Sequence, residues 1–252
     1  MKSLKKDLLD VKIYQTRSEM GKAAAADIKA CLLSLLAKKE TVNMIFAAAP
    51  SQNEVLEALA TDKEIPWNRV NAFHMDEYIG LSADAPQGFG NFLKDHIFGK
   101  ADFKSVSYID ISATDAQAEC ERYSALLAAN PTDIVVMGIG ENGHIAFNDP
   151  PVADFNDAKA VKPVALDEVC RQQQVNDGCF ATIDDVPKTA ITLTVPTLFA
   201  GKHLFCIVPA ATKANAVKST LTWEIGEACP ATVLRRHESA VLYLDGDSSA
   251  LL

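Results

Sequence analysis

The 252-residue chain has no apolar run of about 18 residues, the length a membrane-spanning helix needs. Low-complexity tracts and repeats at periods of about 20 to 50 residues are missing too, which argues against linkers, solenoids and propellers. The six cysteines, at 31, 120, 170, 179, 206 and 229, form no C-x-x-C pair and have no histidine at metal-ligand spacing. A zinc site or a disulfide framework is therefore not expected, and no metal is assigned. Basic side chains are the minority, 24 against 33 acidic for a formal net charge of −9. That balance argues against a general grip on nucleic acid, which requires Lys and Arg clustered on one face. The denser basic runs, Lys2–Lys6, Lys38–Lys39 and Arg235–Arg236, are short and read as solvated faces. The N-terminal MKSLKKDLLDVKIYQ mixes charge into its apolar positions and so lacks the core of a signal peptide. A cytoplasmic protein with reduced thiols and no membrane partner is expected.

What is present is an ordinary globular composition, 48% hydrophobic and 23% charged. Apolar and polar segments alternate without a break, so a single domain over residues 1–252 is expected. Helical spacing from Ser18 through Ile28, Cys31, Leu32, Leu35 and Leu36 precedes a buried strand at 42–49. Ser51 and Glu54 read as a capping box opening a helix through about Thr61. Further strands are expected at 70–75, 106–109, 133–137, 191–195, 204–208 and 240–244, with helices around 90–97, 114–129 and 212–221. The stretch 152–187 reads only as polar. Strands separated by helices imply a Rossmann-like, doubly wound α/β fold with a mostly parallel sheet and helices on both faces. Ligands of such sheets bind beyond the carboxyl ends of the strands. The segments to inspect are therefore Ala47–Gln52, Asp76–Tyr78, Gly138–Pro151 and Pro209–Lys213.

Gly138, Gly140 and Gly143 satisfy G-x-G-x-x-G after a strand, but the pair Pro150-Pro151 follows at once and leaves no room for the long helix of a dinucleotide site. These glycines read as a tight turn with close backbone approach. His144 follows Gly143, with Glu141, Asn142, Asn148 and Asp149 around it, as proton transfer near neutral pH requires; a histidine that merely braces the turn reads equally well. Asp76 and Glu77 end an apolar strand and point apart. One can face a cleft as a base while the other caps a helix or meets solvent, and capping alone also explains the pair. His74, inside the strand, reads as a packed core residue. Lys213, at a helix start, suits a phosphate or the plain surface. The loop Ala47-Ala48-Ala49-Pro50-Ser51-Gln52 is a second natural anion site, with Ser51, Gln52 and Asn53 as its expected amide donors because Pro50 has none.

FHMDEYIGL at 73–81, VVMGIGENGHIAFNDP at 135–150 and VPKTAITLTVPTLFAGKHLFCIVPAATKANAV at 186–217 together resemble the glucosamine-6-phosphate deaminase/isomerase family, a sister of the 6-phosphogluconolactonases. The resemblance runs from about residue 17 to the C-terminus. It implies a nucleotide-free Rossmann-like fold and conversion of an aminosugar 6-phosphate, glucosamine or galactosamine, to a ketose 6-phosphate plus ammonia, without metal or organic cofactor. By that resemblance Asp76 moves a proton between C2 and C1, His144 assists ring opening, Asp149 partners the histidine, and Asn142 is a catalytic residue standing where the family has Asp or, in some members, Asn. Lys213, Ser51, Gln52 and Ala49 meet the phosphate, and Gly140, Gly143 and Glu77 belong to the substrate-binding segments.

The departures concern the anion. The family's phosphate loop, P-T-G-G-T-P, is AAAPSQ here, with Ala49 and Pro50 in place of glycines. Its phosphate arginine, from T-R-x-A-N-x-R-F, aligns near Gly178 in CRQQQVNDGCF, which leaves Arg171 as a substitute. Asp149 stands where the family usually has Glu, a retreat of about 1.5 Å that weakens its hydrogen bond unless the backbone compensates or a water intervenes. The basic residues of an allosteric site are missing after Pro151. A lactonase with His144 activating water, or a sugar-phosphate sensor without turnover, are the competing readings; Ile145-Ala146-Phe147-Asn148 departs from the lactonase T-A-S-L-F-P. Family members occur as monomers, dimers and hexamers, so a homo-oligomer stays open, and no heptad in this chain chooses among them.

Overall fold

A computed structural model describes residues 1–252. The chain opens with a hairpin, β1 (Lys2–Lys6) and β2 (Leu9–Ile13), which the sequence reading left unassigned. Leu9 and Val11 are fully buried, and the charged residues alternating with them gave the segment its polar look. Helix α1 (Arg17–Leu36) begins at Thr16, whose side chain accepts from the Glu19 amide as an N-cap, and buries Met20, Ala24, Ile28 and Leu32. Then follow β3 (Val42–Phe46), α2 (Asn53–Thr61), β4 (Val70–His74), β5 (Asp76–Tyr78), α3 (Phe89–Leu93) and β6 (Ser105–Ser107). The remainder is α4 (Ala116–Ala129), β7 (Ile134–Met137), β8 (Val161–Ala165), α5 (Glu168–Asn176), β9 (Thr189–Leu193), α6 (Val195–Phe199), β10 (His203–Val208), α7 (Ala214–Thr222) and β11 (Ala240–Leu244).

Eight strands form one sheet in the order β1-β2-β11-β10-β7-β3-β4-β6, parallel throughout except for β1. Its central strands are buried on both faces, as the unbroken apolar runs 42–46 and 134–137 require. One face packs against α1, α2 and α3 and the other against α4, α6 and α7, giving two hydrophobic cores. After β3 the chain winds outward to β4 and β6. It then returns to β7 on the other side of β3 and continues to β10 and β11. The carboxyl ends of β3 and β7 thus flank the switch point, where a crevice opens in this architecture.

Several local expectations are corrected. The strand at 191–195 lies at 189–193 and leaves the main sheet: β9 pairs antiparallel with both β5 and β8 in a separate three-stranded sheet. The polar stretch 152–187 contains β8 and α5; Cys170 is the only apolar side chain that α5 buries, so no apolar stripe marked the helix. The Ser51–Glu54 capping box does not form. Pro50 starts a 3-10 turn over residues 50–52, α2 begins at Asn53, and Glu54 pairs instead with Arg17. The helix expected at 90–97 is α3 continued by a π turn at Lys94–Phe98.

Candidate active site

A cleft of about 750 Å³ opens at the switch point. Its walls come from the segments that follow β3 (Ala47–Gln52), β4 (Met75, Asp76), β7 (Gly138–Gly140, His144) and β10 (Pro209–Lys213). Gln173, Gln174 and Asp177 of the α5 region close one side, and Arg17 at the start of α1 reaches in from another. Neither that use of α5 nor Arg17 was foreseen. No motif marks either, because both depend on how distant elements pack.

Asp76 stands where the chain leaves the main sheet for the small one. The corner is pinned from behind by His74, which is fully buried and satisfied as its place in the strand suggests. Its Nε2 accepts from the Ile109 amide, so Nδ1 carries the proton and donates to the Asp76 carbonyl at 2.9 Å. The Tyr123 hydroxyl braces the same corner through both main-chain groups of His74. The Asp76 carboxyl itself is 7% exposed, faces the cleft and has no hydrogen-bond partner. Burial, and then the neighbouring Glu77 charge, push its pKa well above the usual carboxylate range.

Glu77 points away from the cleft. Its carboxyl accepts from the amides of Tyr78, Phe89 and Gly90 and so caps the start of α3, which removes it from the substrate-binding set. Burial raises it to about 7 against the pull of those three amides.

His144 lies across the turn after β7. Its Nδ1 is 2.7 Å from Asn142 Oδ1 and 2.9 Å from Asp149 Oδ1, while Asn142 Nδ2 donates to the same Asp149 oxygen at 2.9 Å. Two oxygens at Nδ1 fix a proton there, which leaves Nε2 as the ring nitrogen available to the cleft. Asn142 and Asp149 stand behind the histidine rather than in the cleft. Asp149 Oδ1 comes within 2.9 Å of Nδ1 despite its shorter side chain, but the hydrogen bond at Nδ1 is made to Asn142 Oδ1, and Asp149 Oδ2 has no partner. Burial would raise the Asp149 carboxyl, but the neighbouring His144 and Asn142 outweigh it and hold the pKa below the usual range.

Two glycines have steric reasons for their places. A Cβ on Gly140 would lie 2.1 Å from the His144 ring, so the close approach inferred from the motif is to the chain's own histidine. Gly143 has φ +86° and a Cβ there would meet Cys229 Sγ at 2.5 Å, so it shapes the turn without facing the cleft. His144, Asp149 and Cys170 bring potential metal-ligand atoms within 4.8 Å of one another. Burial pushes the Cys170 thiol far up, so it stays protonated, which suits a packed thiol beside the histidine and the carboxylate rather than a metal ligand.

At the other end of the cleft Lys213 is 5% exposed, and its Nζ has neither an ion pair nor a hydrogen bond. Burial lowers its pKa, with Asp177 and Glu141 opposing. Ala210, at φ 83°, turns the chain toward it and is held by two contacts from its amide to Asp245. Ser51, Gln52 and Ala49 line the same end. The amide donors expected of the loop are largely absent, since Gln52 N–H donates to Ala49 O and Asn53 N–H to Pro50 O. The Gln52 side-chain amide is engaged too, donating to Ser51 Oγ and Ile207 O, which leaves its buried Oε1 without a donor. Arg171 does not reach the cleft; its guanidinium donates to the carbonyls of Ile183 and Val186.

Residues 15–243 match the sequence profile of the glucosamine-6-phosphate isomerases/6-phosphogluconolactonase family. A glucosamine-6-phosphate deaminase of Listeria innocua is 34% identical over 211 residues, 84% of this chain and 88% of that protein. One from Lactobacillus delbrueckii is 32% identical over 240 residues, 95% and 98% of the two chains. Among solved structures, a monomeric glucosamine-6-phosphate deaminase superposes with a TM-score of 0.86 at 28% identity, covering 96% of this chain and 99% of the other. A 6-phosphogluconolactonase from Thermotoga maritima shares the fold, with a TM-score of 0.78 at 21% identity, covering 94% and 99%. The match spans nearly the whole sheet and every loop that walls the cleft, so this chain belongs to the glucosamine-6-phosphate isomerase/6-phosphogluconolactonase family.

Proposed function

We propose that the protein is an aldose–ketose isomerase and deaminase that converts glucosamine 6-phosphate, or its epimer galactosamine 6-phosphate, and water to a ketose 6-phosphate and ammonia. The observation that carries this is the cleft's composition: a buried unpartnered carboxyl, a free imidazole nitrogen and a buried unpaired ammonium face one space. Unpaired buried charges cost folding energy, and a substrate bearing both a transferable proton and an anion compensates for both. Curated deaminases at 31 to 34% identity support the same reaction. Free thiols at all six cysteines, four of them buried, suit a cytoplasmic enzyme.

Each side chain has a role in this chemistry. His144 Nε2 takes the proton of the anomeric hydroxyl and returns it to the ring oxygen as the ring opens, while Asp149 and Asn142 hold the ring's tautomer. Asp76 as carboxylate removes the C2 proton of the open amino-aldose and delivers it to C1, while one amine proton passes to the C1 oxygen. The nitrogen is left as a C2 imine, which adds water and expels ammonia to give the ketone. Lys213, with Ser51, anchors the phosphate and so positions C1 and C2 at Asp76. Since Asp76 must ionise to act, activity is expected to rise with pH through its raised pKa rather than near the usual carboxylate value. Steady-state kinetics of two variants test these roles. Asp76→Asn is expected to lose turnover while still binding substrate, and Lys213→Ala to raise KM by roughly 10- to 100-fold for the lost charge-assisted contact. An active Asp76→Asn enzyme, or an unchanged KM in Lys213→Ala, would overturn them.

A further inference from the structure

Resting on the aminosugar-phosphate reading above, we propose that Arg17 is the second cation of the anion subsite and receives the phosphate together with Lys213 and Ser51. The loop after β3 offers a dianion few backbone donors, because the amides of Gln52 and Asn53 are bonded within the 3-10 turn and Pro50 has no N–H, which leaves the Ser51 amide alone of the three expected donors. It is also rich in buried acceptors, with Gln52 Oε1, Asn53 Oδ1 and Glu54 Oε2 all lacking a donor. The α5 region brings no guanidinium, as Arg171 is engaged elsewhere, and it adds the Asp177 carboxylate beside Lys213. A phosphate dianion entering this end therefore meets the single Lys213 ammonium, with the Asp177 carboxylate also lining the cleft.

Arg17 is the only other cation that lines the cleft. Its Nε donates to Glu54 Oε1 at 2.6 Å and one terminal nitrogen donates to the Pro50 carbonyl, which fixes the plane of the guanidinium against the loop. The other terminal nitrogen, Nη1, has no partner, and the side chain is one-third exposed on the cleft side. Helix stability does not explain the residue, since a cation at the first helical position opposes the positive end of the helix dipole. A planar fork held rigid on one edge and free on the other suits phosphate oxygens.

Inorganic phosphate and glucosamine 6-phosphate are the probes, and Arg17→Ala, Arg17→Gln, Arg17→Lys and Glu54→Gln the variants. Arg17→Ala and Arg17→Gln are expected to raise KM about 10-fold or more with kcat within about threefold. They are also expected to weaken competitive inhibition by phosphate by a similar factor, with Arg17→Lys between them and wild type. Glu54→Gln loosens the guanidinium without removing its charge, and is expected to shift both by clearly less than Arg17→Ala does. Unchanged phosphate inhibition in Arg17→Ala or Arg17→Gln overturns the assignment, as does an equal loss in Glu54→Gln, which would mark a purely structural tie. Phosphate binding by calorimetry separates this inference from the activity. A wild type that turns over no aminosugar phosphate, yet loses phosphate affinity on Arg17→Gln, refutes the reaction and supports the subsite.

Discussion

The His144 ring occupies the space that any side chain at residue 140 would need, with the nearest ring atom 2.1 Å from a would-be Cβ. Gly140→Ala must therefore move the imidazole by more than an ångström, taking Nε2 out of line with a substrate ring oxygen. A fall of about 100-fold in kcat, with little change in phosphate inhibition, is the expected result; near-normal kcat would show that His144 has no exacting position to lose. The sequence made this residue visible as part of a glycine turn, and what the turn approaches, its own histidine, became clear only in three dimensions. The same holds for Asp149. Read along the chain it is one methylene short, but the local fold of 142–149 closes that gap to 2.9 Å. Side-chain length is legible in a sequence, whereas the path of the backbone between two partners is not.

At the scale of elements, strands with unbroken apolar runs announced themselves, and β3, β7, β10 and β11 lie where their β-branched and aliphatic residues put them. Elements whose burial is one-sided or sparse did not. The β1–β2 hairpin carries charges at alternate positions, and α5 has glutamines and an arginine where a helix usually shows its apolar stripe. The polar face of α5 is accounted for by its place in the wall of a polar cleft, which Gln173 and Gln174 line. Sheet membership was misread for β9 because local sequence specifies a strand, while its partners, β5 and β8, are chosen by tertiary packing. Glu77 follows the same logic: the sequence offered base or cap, and the position of α3 decided for the cap.

The whole molecule carries a cost for its site. Asp76 and Glu77 both bind their protons more tightly folded than unfolded, Asp76 well above the ordinary 3.8 and Glu77 at about 7 against 4.5. Their contribution to stability is full below the unfolded values and is lost as pH rises from about 4 through 7, since the native state then holds protons that the unfolded state has released. Buried groups shifted the other way, such as Asp149 and His74, act oppositely, so the difference between two proteins is the clean observable. Asp76→Asn is expected to gain stability relative to wild type as pH increases from 5 to 8 in denaturant unfolding. A gap that stays constant with pH would mean that Asp76 titrates as an ordinary surface acid. The family resemblance placed Asp76, His144 and Lys213 together, and the fold brings them to one cleft; at the anion end Ala49, Ser51 and Gln52 line it as read, whereas Arg17 and the α5 glutamines carried no motif to mark them.

Ammonia release coupled to ketose 6-phosphate formation, measured on the purified wild type with glucosamine 6-phosphate and galactosamine 6-phosphate side by side, bears most directly on the proposed reaction. Stoichiometric release of ammonia and ketose phosphate from at least one epimer is the expected result, and the faster epimer identifies the sugar that the rebuilt anion end accepts. Binding of both sugar phosphates without release of ammonia from either would contradict the assignment of Asp76 and His144 to proton transfer and leave the cleft a binding site.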